Sequence, residues 1–152
     1  MTEKQLWTNF CQLHHLDINT PYEVWSYGDD ADVLAELTCK RIKTATASGY
    51  DLYFIPGEEE PLPKEGEYSV ILNAKGEAVC VIQTKQITIL PYNQVGEEQA
   101  YKEGEGDRSL DYWRKAHWDF FRKEYADAGL EFTEKSLVVC EEFECLYKVG
   151  TD

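Results

Sequence analysis

The residues best suited to chemistry lie in a short segment around Lys43 and Thr46. A threonine hydroxyl is a weak nucleophile and needs a neighbouring base to accept its proton. A lysine can serve as that base only if burial or a cationic neighbour lowers its pKa towards neutrality, and Lys40 and Arg41 are candidate neighbours. The alternatives are that Lys43 is solvated or contacts a phosphate, and that Thr46 is an ordinary β-branched strand residue.

A second cluster of reactive groups lies in the acidic stretch over residues 96–107. Its carboxylates are Glu97, Glu98, Glu103, Glu105 and Asp107. A run of this kind is commonly a solvated face, and a metal site is the alternative, because hard cations bind clustered carboxylates. We predict no metal and no cofactor. The glycines embedded in the stretch favour a loop whose backbone approaches another part of the molecule closely.

Aromatic, imidazole and thiol side chains also have two interpretations each. Trp25 and Tyr27 either pack in the core and its rim or stack an unpaired base beside a cleft. His117 falls on the apolar face of a predicted helix, where it is either a semi-buried, hydrogen-bonded residue or a catalytic one. The five cysteines form no C-x-x-C pair and follow no secretory signal, which predicts buried, reduced thiols in a cytoplasmic protein. No run of about 18 apolar residues predicts a membrane span.

Several elements must position these residues. Periodicity and capping residues predict helices over residues 2–16, 31–41 and 109–125, and strands over residues 42–48, 68–73, 78–90 and 137–147. The buried faces of the first two helices are predicted to be Leu6, Phe10 and Leu13, and Val33, Leu34 and Leu37. Residues 17–30 and the proline-rich residues 56–67 are predicted to be loops.

The order of the elements indicates the fold class. It lacks the regular alternation of strands and helices that a parallel, doubly wound sheet requires, and residues 68–90 are typical of a hairpin. We therefore predict an α+β fold in which a small mixed or antiparallel β-barrel is flanked by helices. A length of 152 residues with 43% hydrophobic residues predicts a single domain over residues 1–152.

The charge of the chain limits its partners. The formal net charge is −14, and long nucleic acids are bound mainly through Lys and Arg that neutralise phosphates, so a long nucleic acid is a poor partner. A nucleoside or a single exposed RNA base is not subject to this objection. Two local basic clusters, at residues 40–43 and 108–115, would weaken this argument if they met in space. Whether the chain forms a homodimer is left open.

Three stretches resemble the ASCH family in their order and spacing. They are VWSYGD at residues 24–29, RIKTATAS at residues 41–48 and EGEGDRSL at residues 103–110, followed by Trp113, Arg114 and His117. With the last predicted strand, the similarity extends over nearly the whole chain. The resemblance implies a PUA-like barrel with a cleft for a nucleobase-like ligand.

The resemblance also implies roles for individual residues. Characterised members of the family include an amidohydrolase that acts on N4-acetylcytidine through a lysine, a threonine three residues later and a distant glutamate. Lys43 and Thr46 match the first two, and Glu103 is the best match for the third, with Glu105 as the alternative. Thr46 would be the nucleophile, Lys43 the proton acceptor and Glu103 the proton donor. The residues expected to bind substrate are Trp25, Tyr27, Arg41, Ser48, Glu105, Arg114 and His117.

The leading hypothesis is therefore a hydrolase that removes the acyl group of an N4-acylated cytidine-like nucleoside. The first alternative is a module that recognises a base in RNA without chemistry, or an RNA-processing ribonuclease. A purely structural protein is the last alternative, because it would leave the polar cleft unexplained.

Overall fold

The computed structural model describes residues 1–150, so the last two residues of the domain predicted over residues 1–152 lie outside the described residues. The helices are α1 (Glu3–His14), α2 (Ala31–Cys39), α3 (Glu97–Glu103) and α4 (Leu110–Asp127). The strands are β1 (Tyr22–Ser26), β2 (Ala45–Gly49), β3 (Tyr68–Leu72), β4 (Ala78–Pro91) and β5 (Leu137–Lys148). Short 3₁₀ turns follow β2 and β4, at Tyr50–Phe54 and Tyr92–Gln94.

The five strands form one curled sheet in the order β1-β3-β4-β5-β2. The β1–β3 pair is parallel, and the other three pairs are antiparallel. The long strands β4 and β5 pair along most of their length, with register shifts between Val81 and Ile82 and between Thr84 and Gln86. Such bulges bend a strand and increase its twist, which allows the sheet to curl into a half-barrel. The predicted α+β, barrel-like fold is confirmed.

Helix α1 begins with the predicted capping box, in which the Thr2 side chain accepts from the backbone of Gln5 and the Gln5 side chain accepts from the backbone of Thr2. Its buried residues are Leu6, Trp7, Phe10 and Cys11, which pack against β3 and β4. This face is centred between the Leu6–Phe10 and Trp7–Cys11 rows, so Leu13 lies at its edge and is 49% exposed. The prediction that Leu13 is buried was therefore wrong.

Helix α2 is rotated relative to the prediction: Leu34 and Leu37 are partly buried, and Leu34 packs against the core, but Val33 faces solvent. Its buried residues are Ala35 and Thr38, while Val33 is 56% exposed. The Thr38 hydroxyl donates to Leu34 O within the helix and shares a hydrogen bond with the hydroxyl of Tyr27 at 2.8 Å. Because its hydroxyl is hydrogen-bonded, Thr38 can lie on the buried face of the helix, although the sequence pattern assigned only apolar residues to that face.

Three local assignments differ from the sequence prediction. Strand β1 lies within the predicted loop over residues 17–30, where a largely exposed pattern hides its parallel pairing with β3. The strand predicted from residue 42 begins only at Ala45. Helix α3 lies in the acidic stretch that was predicted to be a loop. The other predicted elements, including the β3–β4 hairpin, α4 with its Ser109 N-cap and the coil over residues 56–67, are confirmed.

Helix α4 supplies the largest aromatic layer of the core. Its buried residues Trp113, Phe121 and Tyr125 pack with Phe132 and with residues of β5. The five cysteines are free, and four of them are buried. No helix in the described part of the chain is long and apolar enough to cross a membrane.

Candidate active site

The turn between α2 and β2 places Lys43 and Thr46 on the same side of the sheet. The backbone amides of Ile42 and Lys43 both donate to Leu37 O, and Arg41 adopts a left-handed conformation with φ of 60°. Lys43 therefore lies before the first residue of β2, and only Thr46 follows the alternation of side chains between the two faces of the strand. In a continuous strand, side chains three residues apart project to opposite faces. Because Lys43 lies in the turn, both side chains instead enter one cavity.

The C-terminal end of α3 crosses this turn at close range. The amide of Thr44 donates to Lys102 O at 2.7 Å, and Gly104 ends the helix with φ of 72°. A Cβ atom at Gly104 would lie 2.7 Å from Ile42 O, so the crossing requires glycine at this position. The close backbone approach expected from the embedded glycines is therefore present, and it brings Glu103 and Glu105 to Lys43.

These elements enclose a cavity of about 140 Å³. Its polar lining comes from the Lys43 turn, the start of β2, the end of α3 and the inner face of α4, and Tyr27 and Phe120 contribute aromatic surface. The polar groups that face it include Lys43, Thr46, Glu103, Glu105 and His117. All three residues expected to be catalytic thus line one cavity.

Lys43 is the central cation of the site. Its side chain is 1% exposed, and its Nζ lies 2.9 Å from Glu105 Oε2 and 3.3 Å from Glu103 Oε1. Nζ also donates to Glu103 O at 3.4 Å and lies 5.4 Å from the centre of the Tyr27 ring. A buried charge needs this degree of pairing to offset the loss of hydration.

Glu103 is fully buried and is held by groups from three directions. Its Oε2 accepts from the indole N–H of Trp113 and from Gln99 Nε2 at 3.1 Å, and its Oε1 lies 3.3 Å from His117 Nε2. Burial raises the pKa of Glu103. The charges of Lys43 and His117 and the hydrogen bonds of His117 and Trp113 lower the pKa by more than burial raises it, and the result is a pKa of about 2. Glu103 is therefore a carboxylate at neutral pH.

His117 is fixed between Glu103 and its own helix. Its Nδ1 lies 2.9 Å from Trp113 O, and its ring stacks on the Trp113 ring with 4.2 Å between centres. Burial lowers the pKa of His117, but the Glu103 carboxylate outweighs burial, and the resulting pKa lies above the usual value. The two interpretations of His117 are therefore not exclusive, since the ring is both buried and directed at the cavity.

Three groups of the site could serve as metal ligands. One ligand atom each from Glu103, Glu105 and His117 can be chosen such that all lie within 4.8 Å of one another. The Lys43 ammonium already contacts both carboxylates, so a divalent cation would have to displace a buried lysine. The arrangement is better suited to proton transfer between lysine and carboxylate than to metal binding.

The residues expected to bind substrate are divided among three places. Tyr27, Glu105 and His117 line the cavity. Trp25 and Ser48 line an adjoining groove of about 550 Å³, which shares Tyr27 and Thr46 with the cavity.

The two arginines expected to bind substrate make contacts elsewhere. Arg41 Nε donates to Cys145 O at 3.2 Å. Arg114 Nη2 donates to Asn93 O and Val95 O at 3.1 and 2.9 Å, which ties α4 to the turn after β4.

Sequence analysis did not identify the two groups that orient the Glu103 carboxylate, Gln99 and Trp113. Gln99 stands four residues before Glu103 on α3, so the i, i+4 spacing would have indicated it had the helix been predicted. Trp113 belongs to one of the stretches that resemble the family, but its indole N–H carries no sequence signal for a particular acceptor.

Comparisons with known proteins agree with this architecture. The family model described as ASCH domain matches residues 23–147. A crystal structure of a protein from Enterococcus faecalis V583 is 38% identical in sequence, with a TM-score of 0.84 over 95% of this chain and 88% of that one. The structure of an ASCH domain from Lactobacillus crispatus JV V101 is 32% identical, with a TM-score of 0.84 over 97% of this chain and 96% of that one.

A third structure, of a hypothetical protein, shares the fold at 17% identity and a TM-score of 0.53, over 82% of this chain and 98% of that one. No curated protein sequence matches this chain. The family match covers most of the sequence and includes all the elements that build the cavity. The chain belongs to the ASCH domain family.

Proposed function

We propose that this protein is an amidohydrolase that removes the acyl group from the exocyclic amine of an N4-acylated cytidine-like nucleoside. The observation that carries the proposal is the convergence of Lys43, Thr46 and Glu103 on one small, partly enclosed cavity. The resemblance to the family's N4-acetylcytidine amidohydrolase supplies the substrate class. Tyr27 and Phe120 line both the cavity and the groove beside it, and their aromatic surfaces suit the flat shape of a base.

The charge state of the site defines how protons must move. Glu103 begins as a carboxylate, because its pKa is about 2, and it cannot donate a proton until it has received one. Lys43 Nζ and His117 Nε2 each lie 3.3 Å from Glu103 Oε1, so these two groups are the nearest proton donors for that oxygen. When a bound nucleobase excludes water from the cavity, transfer of one proton from Lys43 to Glu103 converts the ion pair into a neutral amine and a carboxylic acid.

This transfer prepares the acid and the base that amide hydrolysis requires. The neutral Lys43 amine accepts the Thr46 proton as the hydroxyl oxygen attacks the acyl carbonyl, and the Glu103 acid protonates the departing amine. Cytidine leaves, Thr46 carries the acyl group, and the original charges of Lys43 and Glu103 are restored. Water then attacks the acyl group, the Glu103 carboxylate accepts a proton from the water, and the Lys43 ammonium protonates the departing Thr46 oxygen. The free acid and Thr46 are released, and a proton passes back from Glu103 to Lys43.

The test is turnover of N4-acetylcytidine by single and double variants. Thr46→Ala removes the nucleophile, and Lys43→Arg keeps the charge but cannot act as a base. Each change should lower kcat/KM by about a thousandfold or more, and the double variant should be little worse than either, because groups acting as a unit are not additive. Release of cytidine is measured by chromatography.

The matched control is Thr88→Ala, which makes the same change at an exposed position of β4 and should leave turnover unchanged. Circular dichroism and melting curves check the fold of each variant. Turnover that persists in Thr46→Ala would refute the nucleophile. A wild-type protein that binds the nucleoside but releases no cytidine would instead be a binding module.

A further inference from the structure

Glu141 is a buried carboxylate that the proposed reaction does not use. It lies on β5 directly opposite Thr46 of β2, and residues opposite each other in an antiparallel pair project to the same face, about 5 Å apart at Cβ. The residue is only 8% exposed. Its Oε2 accepts a hydrogen bond from Thr84 Oγ1 at 2.6 Å, and among residues 1–150 no group donates to its Oε1.

Glu141 faces the groove that adjoins the cavity. The groove has a volume of about 550 Å³, and Thr46 lies at the junction of groove and cavity. In an N4-acylated cytidine the acyl group and the sugar are attached at opposite ends of the base. An acyl group inside the cavity beside Thr46 would therefore direct the base, and then the sugar, towards the groove.

The groove is acidic and rich in hydroxyl groups. Five carboxylates line it: Glu23, Glu60, Glu67, Glu124 and Glu141. Ser48 and Tyr53 add two hydroxyls that share a hydrogen bond at 2.8 Å, and Trp25 offers an aromatic surface. No Lys, Arg or His is among the described residues that line the groove. Burial raises the pKa of Glu141, and its second oxygen is available to accept a hydrogen bond from a ligand.

These features define what can occupy the groove. A phosphate would place negative charge beside several carboxylates with no cation to compensate, which is strongly unfavourable. A sugar is uncharged, and its hydroxyls can donate to a carboxylate while they exchange hydrogen bonds with Ser48 and Tyr53. An aromatic side chain at the rim can cover the apolar face of a sugar ring.

We propose that the groove is the sugar subsite of this protein, that Glu141 accepts hydrogen bonds from hydroxyls of the sugar, and that the substrate carries no phosphate. The proposal rests on the proposed function, because it places the acyl group of the substrate in the cavity beside Thr46. It extends that function by selecting nucleosides over both free bases and nucleotides.

The experiment measures equilibrium binding to the Thr46→Ala variant, so that no ligand is consumed. The probes are N4-acetylcytosine, N4-acetylcytidine and N4-acetylcytidine 5′-monophosphate, titrated by calorimetry. Hydrogen bonds to a charged group predict that the nucleoside binds about tenfold or more tightly than the base. The monophosphate should bind about tenfold or more weakly than the nucleoside.

Glu141→Gln, added to Thr46→Ala, should remove most of the preference for nucleoside over base while the affinity for the base stays the same. The control is Glu144→Gln on the same strand, where the side chain is 58% exposed and pairs with Lys85, and it should change none of the three affinities. Melting curves check that both variants fold, and the comparison among ligands does not depend on the Glu141 variant.

Each result separates this inference from the proposed function. Equal affinity for base and nucleoside, or for nucleoside and monophosphate, would overturn the sugar subsite even if turnover is intact. A preference that survives in Glu141→Gln would overturn the role of Glu141. Selective binding of the nucleoside by a protein without turnover would refute the hydrolase and leave the subsite standing.

Discussion

Glu103 is the residue on which the charge balance of the cavity depends. Lys43 and, when protonated, His117 supply two positive charges, and Glu103 and Glu105 supply two negative ones. These four groups together are thus close to neutral inside a protein whose net charge is −14, and the two other carboxylates that line the cavity, Asp29 and Asp30, are exposed to solvent. A neutral base can enter without bringing an uncompensated charge into a buried site, whereas an ion would disturb the balance.

The burial of Glu103 as a carboxylate predicts a specific loss of stability in acid. Its pKa is about 2 in the folded protein and ordinarily 4.5, so its contribution is present above pH 4.5 and is lost as the pH falls towards 2. Glu103→Gln should lower the free energy of unfolding by about 3 kcal/mol at pH 7, because it leaves buried cations without this partner. The difference from wild type should narrow as the pH falls through this window, measured by urea unfolding.

The control for this prediction is Glu58→Gln, in the exposed loop over residues 56–67, which should match wild type at every pH. A difference between wild type and Glu103→Gln that stays constant down to pH 2 would mean that Glu103 is not stabilised as an ion. The readout concerns the folded site alone and does not depend on whether the protein is an enzyme.

At the scale of elements, the site depends on the crossing of two connections. The turn between α2 and β2 and the end of α3 meet where Gly104 lies against Ile42 O. Each connection positions a charged side chain whose partner is on the other. The geometry of the ion pairs is therefore set by a backbone contact.

Gly104→Ala should disrupt this contact. The new Cβ would lie 2.7 Å from Ile42 O in a residue with φ of 72°, so both the conformation and the approach are unfavourable. We expect a loss of about 3 kcal/mol or more in the free energy of unfolding, together with loss of binding of N4-acetylcytidine.

Gly57→Ala is the matched control, because Gly57 has φ of 83° but no atom within 4 Å of the added Cβ. It should cost only about 1–2 kcal/mol, the penalty of the left-handed conformation itself, and should leave binding intact. Equal losses in the two variants would show that the close approach at Gly104 carries no energy.

The same elements show how far sequence reasoning reaches. Helices α1 and α4 were predicted because each has a side-chain cap and an apolar stripe. Helix α3 has seven residues, begins after Gly96 and ends at Gly104, and buries little besides Ala100 and Glu103, so no stripe marks it. Strand β1 is recognisable only by its pairing with β3, a contact between distant parts of the chain.

The sequence selected several of the residues that line the cavity, but not the elements that bring them together. Lys43, Thr46 and Glu103 were selected by resemblance, and their convergence depends on the strand beginning at Ala45, which the β-like alternation of residues 42–48 concealed. Glu141 could not be selected from the sequence, because its position beside Thr46 follows from strand register. Local patterns specify elements, but pairing between strands decides which side chains meet.

At the scale of the whole molecule, most basic residues of the two sequence clusters make contacts within the protein. Lys43 is buried in ion pairs, and Arg41 donates to a carbonyl of β5. In the second cluster, Arg108 stacks on Tyr101 with 3.6 Å to the ring centre, and Arg114 donates to two carbonyls after β4. The positive charges of these two clusters could have offset the net negative charge at a binding surface, but most of them contact other groups of the protein.

This distribution predicts how binding responds to salt. A short RNA that contains one N4-acetylcytidine, titrated with the Thr46→Ala variant at about 50 and 200 mM salt, should bind no more tightly than the free nucleoside. Because the acidic groove offers phosphates no cation, the slope of log affinity against log salt should be near zero. The free nucleoside, measured at the same two salt concentrations, is the control for effects on the protein itself.

An RNA-binding module that neutralises several phosphates would instead show a slope of about −2 or steeper and a clear preference for the RNA at low salt. That outcome would replace the nucleoside hydrolase with recognition of a base within an RNA strand, and it would require the bound strand to leave the cavity by a route other than the carboxylate-lined groove.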